Sequence, residues 1–588
     1  MLVSGSLLFQ MVAGYKPAPD QPPAWIRINQ LGYAPQNSKV AVLVAAAVIH
    51  PDSFYVVHAT THAIAYAGRA GEDFGAYGPF ASGYRLKFTE LRQAGWYYIR
   101  AGGVQSPAFQ IDSSVYDRTA DYCLQYMRMQ RNGFNPFLKD SCHWKDGYTV
   151  YAPVPDGTHF DVVGGWHDAT DYLQYSSTSA NATYHLLMAY RDFPGVFDDQ
   201  YQANGLAGRN RVPDVIDEAR WGLKWLLKMH PKPDWLFNQL GDDRDHHGFH
   251  LPGLDTNYYD VPYERPVYFC TGKPQGLRKY KNRSTGIAST AGKFASAFAL
   301  GATILDRYDP EMSRLLRQHS GSALRLGLKN PGACQTAPCK EPYFYEEDNW
   351  KDDMELALAE WVRINPDLPA RQKDSLLGLA RRYAADEPVT PWMGADTANH
   401  YQWYPFINLG HYSLGAADYY RKGISLVWNK AKENAFYRGV PYVWCSNNLV
   451  TSFAIQCYWY RKMTGDAQFQ ELEQACVDWL FGCNPWGTGM VTGLPGWGDT
   501  PSDPHSSLWH LYGMPIYGGL VDGPIYTKTY RRQVHLQLFH EDPYARFQSE
   551  LAVYHDDAGD YSTNEPTMDG TASLVYLLAA QEAQAHRR

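Results

Sequence analysis

The chain has 588 residues and a net charge of -8, from 53 basic and 61 acidic side chains that are interspersed without a basic stripe. That balance excludes nucleic acid as a partner, and the length excludes a single ordinary core, since domains average about 150 residues. Aromatic residues make up 15% of the chain, 44 of them Tyr and 18 Trp, and aromatic faces with a polar edge suit ligand rings that are apolar on their faces and hydroxylated at their rims.

Residues 1–24 hold a short apolar run with no basic n-region, then a proline-rich spacer. They read as the remnant of an export signal and a linker. The run is too short for a transmembrane segment, and it points to a secreted or periplasmic protein. Residues 25–113 alternate with period two, in "KVAVLV", "YRLKF", "GWYYIR" and "AFQID", between glycine and proline clusters. This pattern predicts a β-sandwich.

From 114 to 588 the periodicity turns helical. "DEARWGLKWLLKMH" sets Trp221 on Trp225, and "STGIASTAGKFASAFALGATIL" opens on a Ser/Thr cap with Phe294 over Phe298. Further segments lie near 115–130, 178–192, 312–327, 349–363, 368–383, 411–432, 446–463, 467–481 and 569–586, about eleven in all. The number predicts a toroid of paired helices, with the site at the end that carries the long loops 231–283 and 484–565. Nine scattered cysteines are too sparse for a disulfide scaffold, and only Cys334 and Cys339 stand close enough for a local bridge.

The stretch "GGWHDATDY", residues 164–172, holds two aspartates three positions apart. At a helix start, Asp168 and Asp171 would share one face, where two carboxylates can hold a water between them. The same spacing also suits an Asp cap followed by an acidic first turn. A second acidic cluster, "YHDDAGDYSTNEPTMDG", places Glu565 at the end of a long loop before the last helix, where a carboxyl is readily held with a raised pKa. A protonated acid facing a base across roughly 6.5–9.5 Å, with room for water, is what inverting hydrolysis of a glycosidic bond requires.

Three other groups carry metal-ligand residue types. They are Asp352 and Asp353 in "DNWKDDMEL", with calcium or a solvated helix start as the readings; Asp242, Asp243 and Asp245 with the histidines of "GDDRDHHGFH"; and Cys142, His143 and His159, which lack a fourth zinc partner.

The chain resembles glycoside hydrolase family 9, inverting cellulases built on an (α/α)6 barrel, in the form preceded by an immunoglobulin-like domain. The resemblance rests on "IRINQLGYAPQNSKVAVLV", "PDVIDEARWGLKWLLKM", "GIASTAGKFASAFALGA", "FGCNPWGTGMVTG", the block "GGWHDATDY" and the closing "STNEPTMDGTASLVYLLA". It implies a multidomain protein, with an immunoglobulin-like β-sandwich over 25–113 and an all-α (α/α)6 barrel over 114–588. It also implies Asp171 as general base, Asp168 as the residue that helps hold the water and Glu565 as general acid. Trp166 and Tyr172 would shape the wall beside the sugar, and His505 would contact it. No cofactor is implied for the chemistry, while a structural calcium is implied at Asp352, with Asp217 and Glu218 beside another. The chain departs from the family pattern at three places: Thr170 stands for a glycine, "TPSDPHSSLWH" lacks the arginine of a histidine-rich segment, and Asn132 stands where zinc-bearing relatives have a cysteine.

The expected partner is therefore a β-glucan polysaccharide or oligosaccharide, acted on by a monomer. Two alternatives are an exo-acting enzyme on cello- or glucosamine-containing oligosaccharides, and a sugar-binding protein without catalysis.

Overall fold

The computed structural model describes residues 23–586 except 247, 256–258, 260, 262, 342–344 and 390–408. Most of the expected export segment, 1–22, lies outside the described residues.

Eight strands, β1 (Ala24–Arg27), β2 (Val40–Ala45), β3 (Ser53–His58), β4 (Ile64–Arg69), β5 (Ser82–Lys87), β6 (Gly95–Ala101), β7 (Val104–Gln105) and β8 (Phe109–Ile111), form the N-terminal part. They make two antiparallel sheets, one ordered β1-β2-β5 and one ordered β4-β3-β6-β7 with β8 added on β6. Alternate residues meet between the sheets, where Leu43, Leu86, Phe54, Ile99 and Phe109 form a core of their own. The other face of the first sheet is also covered, because Val42, Val44 and Phe80 join the core of the helical part. At that seam Asn29 donates to Asp478 at 2.8 Å, Arg85 pairs with Glu471 at 2.8 Å and the hydroxyls of Tyr77 and Tyr442 meet at 2.7 Å.

The helices are α1 (Thr119–Met129), α2 (Ser176–Asp192), α3 (Asp214–Met229), α4 (Ala288–Leu305), α5 (Pro310–Lys329), α6 (Lys351–Ile364) and α7 (Ala370–Asp386), then α8 (Leu409–Leu414), α9 (Ala417–Ala431), α10 (Ser446–Thr464), α11 (Gln470–Leu480), α12 (Ser507–Tyr512), α13 (Thr527–Tyr530) and α14 (Met568–Ala585). Six of them, α2, α4, α6, α8, α10 and α14, pack in sequence as an inner ring. It closes where α14 meets α2 and where Tyr412 of α8 stacks on Trp459 of α10 at 4.9 Å. The helices α1, α3, α5, α7, α9 and α11 lie against this ring, giving the (α/α)6 barrel.

The burial patterns follow from this placement. Every residue of α4 except Thr303 is buried, whereas α7 buries only Ala380 and Ala384. Phe294 does meet Phe298, edge to face at 5.7 Å. The expected Ser/Thr cap of α4 does not form: the helix starts after Ile287 with no side-chain cap. A side-chain cap does start α5, where Asp309 accepts from the Met312 amide at 3.1 Å and Pro310 occupies the first turn.

The long loops carry short strands that rim one end of the barrel. Tyr148–Val150, Pro266–Phe269, Phe237–Leu240 and Gln174–Tyr175 make a four-stranded sheet, and Leu520–Val521 pairs with Pro566–Thr567. The nine cysteines are all buried free thiols, so Cys334 and Cys339 form no bridge; the thiol partner of Cys334 is Cys270. No helix among the described residues is long and apolar enough to cross a membrane.

Candidate active site

The block 164–172 is a loop that leads into α2, so the three-residue spacing of its aspartates is not a helical turn. Gly164 and Gly165 adopt φ of 125° and 75°, and a Cβ on Gly165 would meet the Trp225 ring at 2.7 Å. The indoles of α3 grip this turn, Trp221 donating to the Gly165 carbonyl at 2.8 Å and Trp225 to the Val162 carbonyl at 2.9 Å. Arg265, paired with Asp146 at 2.7 Å, donates to the Tyr172 carbonyl and to Gln174.

The two aspartates then diverge. Asp168 is buried, with Oδ2 accepting from the Tyr345 hydroxyl at 2.8 Å and Oδ1 from Thr178 at 3.1 Å. Burial pushes its pKa well above the usual carboxylate range, reinforced by the charges of Asp569 and Asp171. Asp171 is reached by solvent, its side chain 17% exposed; Oδ1 accepts from the Leu173 amide at 3.0 Å and Oδ2 lies 3.6 Å from His246. Burial opposes protonation of His246, but the hydrogen bond and charge of Asp171 outweigh it and raise the imidazole's pKa.

Glu565 closes the other side. Its backbone carbonyl accepts from the Asp522 amide at 2.9 Å, which ties it to the paired strands that precede α14. Its Oε1 accepts from the Thr170 amide at 2.9 Å, across 395 residues of sequence. The Met568 amide donates to the Asp168 carbonyl at 2.9 Å, a second direct bond between the two blocks. Burial raises the Glu565 pKa well above the ordinary glutamate range, and the charges of Asp171 and Asp522 add to it. A carboxyl held neutral beside a second, solvent-reached carboxyl can protonate a leaving oxygen while its neighbour takes a proton from water.

The remaining sequence candidates fall into different surroundings. Trp166 is fully buried and donates to Glu218 at 2.8 Å, so it is a core residue and no sugar wall. Tyr172 is also buried, its ring packed against His143, His167 and His250 and its hydroxyl on the His250 carbonyl. Both are drawn inward because their polar ends find partners behind the loop. His505 stays partly exposed, donates from Nδ1 to the Ala558 carbonyl at 2.5 Å and accepts the Thr170 hydroxyl on its own carbonyl at 2.5 Å. Burial of its ring lowers its pKa to about 4, which keeps the imidazole neutral.

Partly exposed rings near Glu565 come from two residues absent from the sequence expectations. Trp444 and Tyr561 lie 5.8 Å apart, and Tyr561 is 6.1 Å from His505. Tyr345, Thr178 and Asp522 were equally invisible in the sequence, since none sits in a recognisable motif, whereas His246 belongs to the "GDDRDHHGFH" group and stands beside Asp171.

The metal candidates resolve as follows. Asp352 and Asp353 gather around the buried Lys293 ammonium, which is 2.6 Å from Asp353 and also paired with Glu347. A lysine thus supplies positive charge beside Asp352, where calcium was expected. Glu218 is bound by Arg131 at 2.7 Å, while Asp217 accepts from Asn210 at 2.6 Å on Oδ2 and has Arg220 3.7 Å from Oδ1. Asp242 pairs with Arg244, Asp243 accepts from the amides of Cys339, Lys340 and Glu341, and Asp245 accepts from the Tyr172 amide; these three hold loops.

His159 is exposed and pairs with Glu264, so it does not join Cys142 and His143. Their companion is His167, whose Nε2 is 3.3 Å from His143 Nδ1 and 4.0 Å from Cys142 Sγ. His143 is anchored through Nε2 to Asp255 at 2.7 Å, the arrangement by which carboxylates orient zinc-binding imidazoles. Three donors of zinc-ligand type therefore converge, with the Asn132 amide oxygen 3.6 Å from the thiol in place of a fourth.

A sequence profile described as "Glycosyl hydrolase family 9" matches residues 116–578, and one described as "Cellulase N-terminal ig-like domain" matches 21–106. Endoglucanase C of Cellulomonas fimi is 25% identical over 623 aligned residues, covering 96% of this chain and 52% of that protein. The chain thus spans about half the length of this relative. Among solved structures, a metagenome-derived glycoside hydrolase family 9 endoglucanase superposes with a TM-score of 0.73 at 24% identity, over 95% of this chain and 99% of that one. A zinc-binding triple mutant of family 9 endoglucanase J30 superposes with a TM-score of 0.72 at 23% identity, over 93% of this chain and 99% of that one. With four-fifths of its length matched by one profile and its N-terminal sandwich by the other, the chain belongs to glycosyl hydrolase family 9, in the form that carries an N-terminal immunoglobulin-like domain.

Proposed function

We propose that the chain is an inverting glycoside hydrolase that cleaves β-1,4-glucosidic bonds of cellulose-like β-glucans. Glu565 protonates the leaving oxygen and Asp171 takes the proton of the attacking water. Asp168, fixed by Tyr345 and Thr178, helps hold that water. The observation that carries this reading is the Thr170–Glu565 hydrogen bond, which joins a proton-holding carboxyl to the loop that bears Asp171. Family membership and the names of the relatives support the substrate class.

The partly exposed rings of Trp444 and Tyr561 take the place of Trp166 and Tyr172 as the sugar wall, with His505 beside them. Cys142, His143 and His167 would hold a structural zinc that takes no part in the reaction. The enzyme acts as a monomer, which size-exclusion chromatography checks. A polymeric substrate cannot enter a cell intact, so the enzyme works outside the cytoplasm.

Proton NMR of the first products from a cello-oligosaccharide tests the reading. Inversion of a β bond delivers the α anomer first; initial release of the β anomer would overturn it. Product profiles on cellulose, mixed-linkage glucan, xyloglucan and chitosan oligomers, with viscosity loss set against reducing-end release, separate endo action from exo action and glucose from glucosamine units.

A further inference from the structure

One more cluster gathers buried charge, near the starts of the inner helices α6 and α8. Glu355 lies on α6, Glu387 just past the end of α7 and His411 on α8, and their ligand atoms all lie within 4.8 Å of one another. All three side chains are buried, those of Glu355 and Glu387 completely. His411 Nδ1 is 2.9 Å from Glu355 Oε1, and His411 Nε2 is 3.6 Å from Glu387 Oε2.

The hydrogen bonds leave this group incomplete. If Nε2, on the Glu387 side, carries the imidazole proton, Nδ1 turns a lone pair toward Glu355. Among the described residues no N–H reaches Glu355 Oε2 or either oxygen of Glu387, and the two carboxyls face each other, so that they can share a hydrogen bond only if one holds a proton. One helical turn before Glu355, Asp352 Oδ1 is buried without a donor as well, and its charge bears on all three members. Lone pairs that converge in a dry interior repel unless a proton or a metal ion sits among them.

The spacing favours the ion. Two ligands at about 2.0–2.1 Å from a tetrahedral metal stand about 3.3 Å apart, close to the 2.9 Å between His411 Nδ1 and Glu355 Oε1, and the Glu387 carboxylate lies within 4.8 Å of them.

We propose that Glu355, Glu387 and His411 bind a divalent transition-metal ion of the zinc or manganese type. An imidazole with carboxylates suits such an ion better than calcium, which takes oxygen ligands. The ion ties α6 to both flanks of the segment between Glu387 and His411, and so fixes one part of the inner ring. It has no contact with Asp171 or Glu565 and acts on stability.

The test uses the full chain with Cys142→Ser as background, which removes a ligand from the Cys142–His143–His167 cluster; the groups Asp242–Asp243–Cys339 and Asp245–His250–Asp255 remain, so uptake is assigned to this site by its loss in the variants below. After dialysis against a chelator, zinc or manganese chloride is titrated calorimetrically and the melting temperature is followed. The background protein should take up one ion, and its Tm should rise by roughly 3 °C when the metal is 100-fold above its Kd. Adding Glu387→Gln or His411→Gln should abolish that uptake and that rise. Where one of these variants does not fold, the other serves, and cobalt(II) bound to the background protein should give visible bands without thiolate charge transfer. The proposal is overturned if the background binds no ion at this site, or if uptake survives both substitutions. In either case the two glutamates are held by a shared proton.

Discussion

The proposed active site and the α6–α8 cluster both bury several carboxyls, yet they satisfy them differently. In the cleft each acid has donors from the protein: Tyr345 and Thr178 for Asp168, the Leu173 amide for Asp171 and the Thr170 amide for Glu565. In the cluster three carboxylate oxygens have no N–H donor among the described residues. Donors built into the chain preorganise charge without any outside species, whereas a donor-poor cluster depends on what it binds. The same residue type therefore reads as chemistry in one place and as attachment in the other.

The hardest blow to this contrast comes from the acid and base themselves. Asp171→Asn and Glu565→Gln should each lower kcat on the order of 10²–10⁴-fold while leaving Tm near that of the wild type. Equal turnover by wild type and both variants would place the chemistry elsewhere. Equal inertness of all three across the glycan panel would leave a sugar-binding protein.

A second effect concerns buried imidazoles. His185, His230 and His505 are held neutral by burial, with pKa values lowered to about 4. The unfolded chain binds protons at these groups below about pH 6.5 while the native state does not, so stability is present above 6.5 and is lost as pH falls toward 4. Each contributes at most about 3 kcal/mol. Thermal melts from pH 7 to 4 should show Tm falling, with a shallower fall in His230→Gln.

The donors of the cleft can then be trimmed one at a time. Tyr345→Phe removes a hydrogen bond to Asp168, and kcat should fall about 10- to 100-fold, since bonds to charged groups contribute about 1.5–3 kcal/mol. An unchanged kcat would show that Asp168 needs no such support. The smallest expected effect is at Asp522, whose charge helps raise the Glu565 pKa. Asp522→Asn should move the alkaline limb of the kcat/KM profile to lower pH by a unit or less; an unmoved limb would leave burial and the charge of Asp171 as the causes.

Much of this was legible in the sequence. The change from period two to helical periodicity separated the sandwich from the barrel, and the two acidic motifs marked the segments that meet across the cleft. What failed did so for physical reasons. A three-residue spacing fits a helical turn, but Gly164 and Gly165 with positive φ and the Leu173–Asp171 hydrogen bond make it a loop. Trp166 has the composition of a sugar platform, and only its bond to Glu218 shows that the ring points inward. Tyr345 is 177 residues from Asp168, in a segment without periodicity, so no local pattern could announce the contact. Asp352 and Asp353 carry the composition of a calcium site, and the lysine that pairs with Asp353 comes from another helix.

The bond from the Met568 amide to the Asp168 carbonyl joins the final inner helix to the entrance of the first. Sealing the toroid and assembling the reaction centre are consequently one event. A nascent or prematurely terminated polypeptide that ends before Glu565 has neither the proposed proton donor nor a finished wall, and would be wholly silent instead of weakly active.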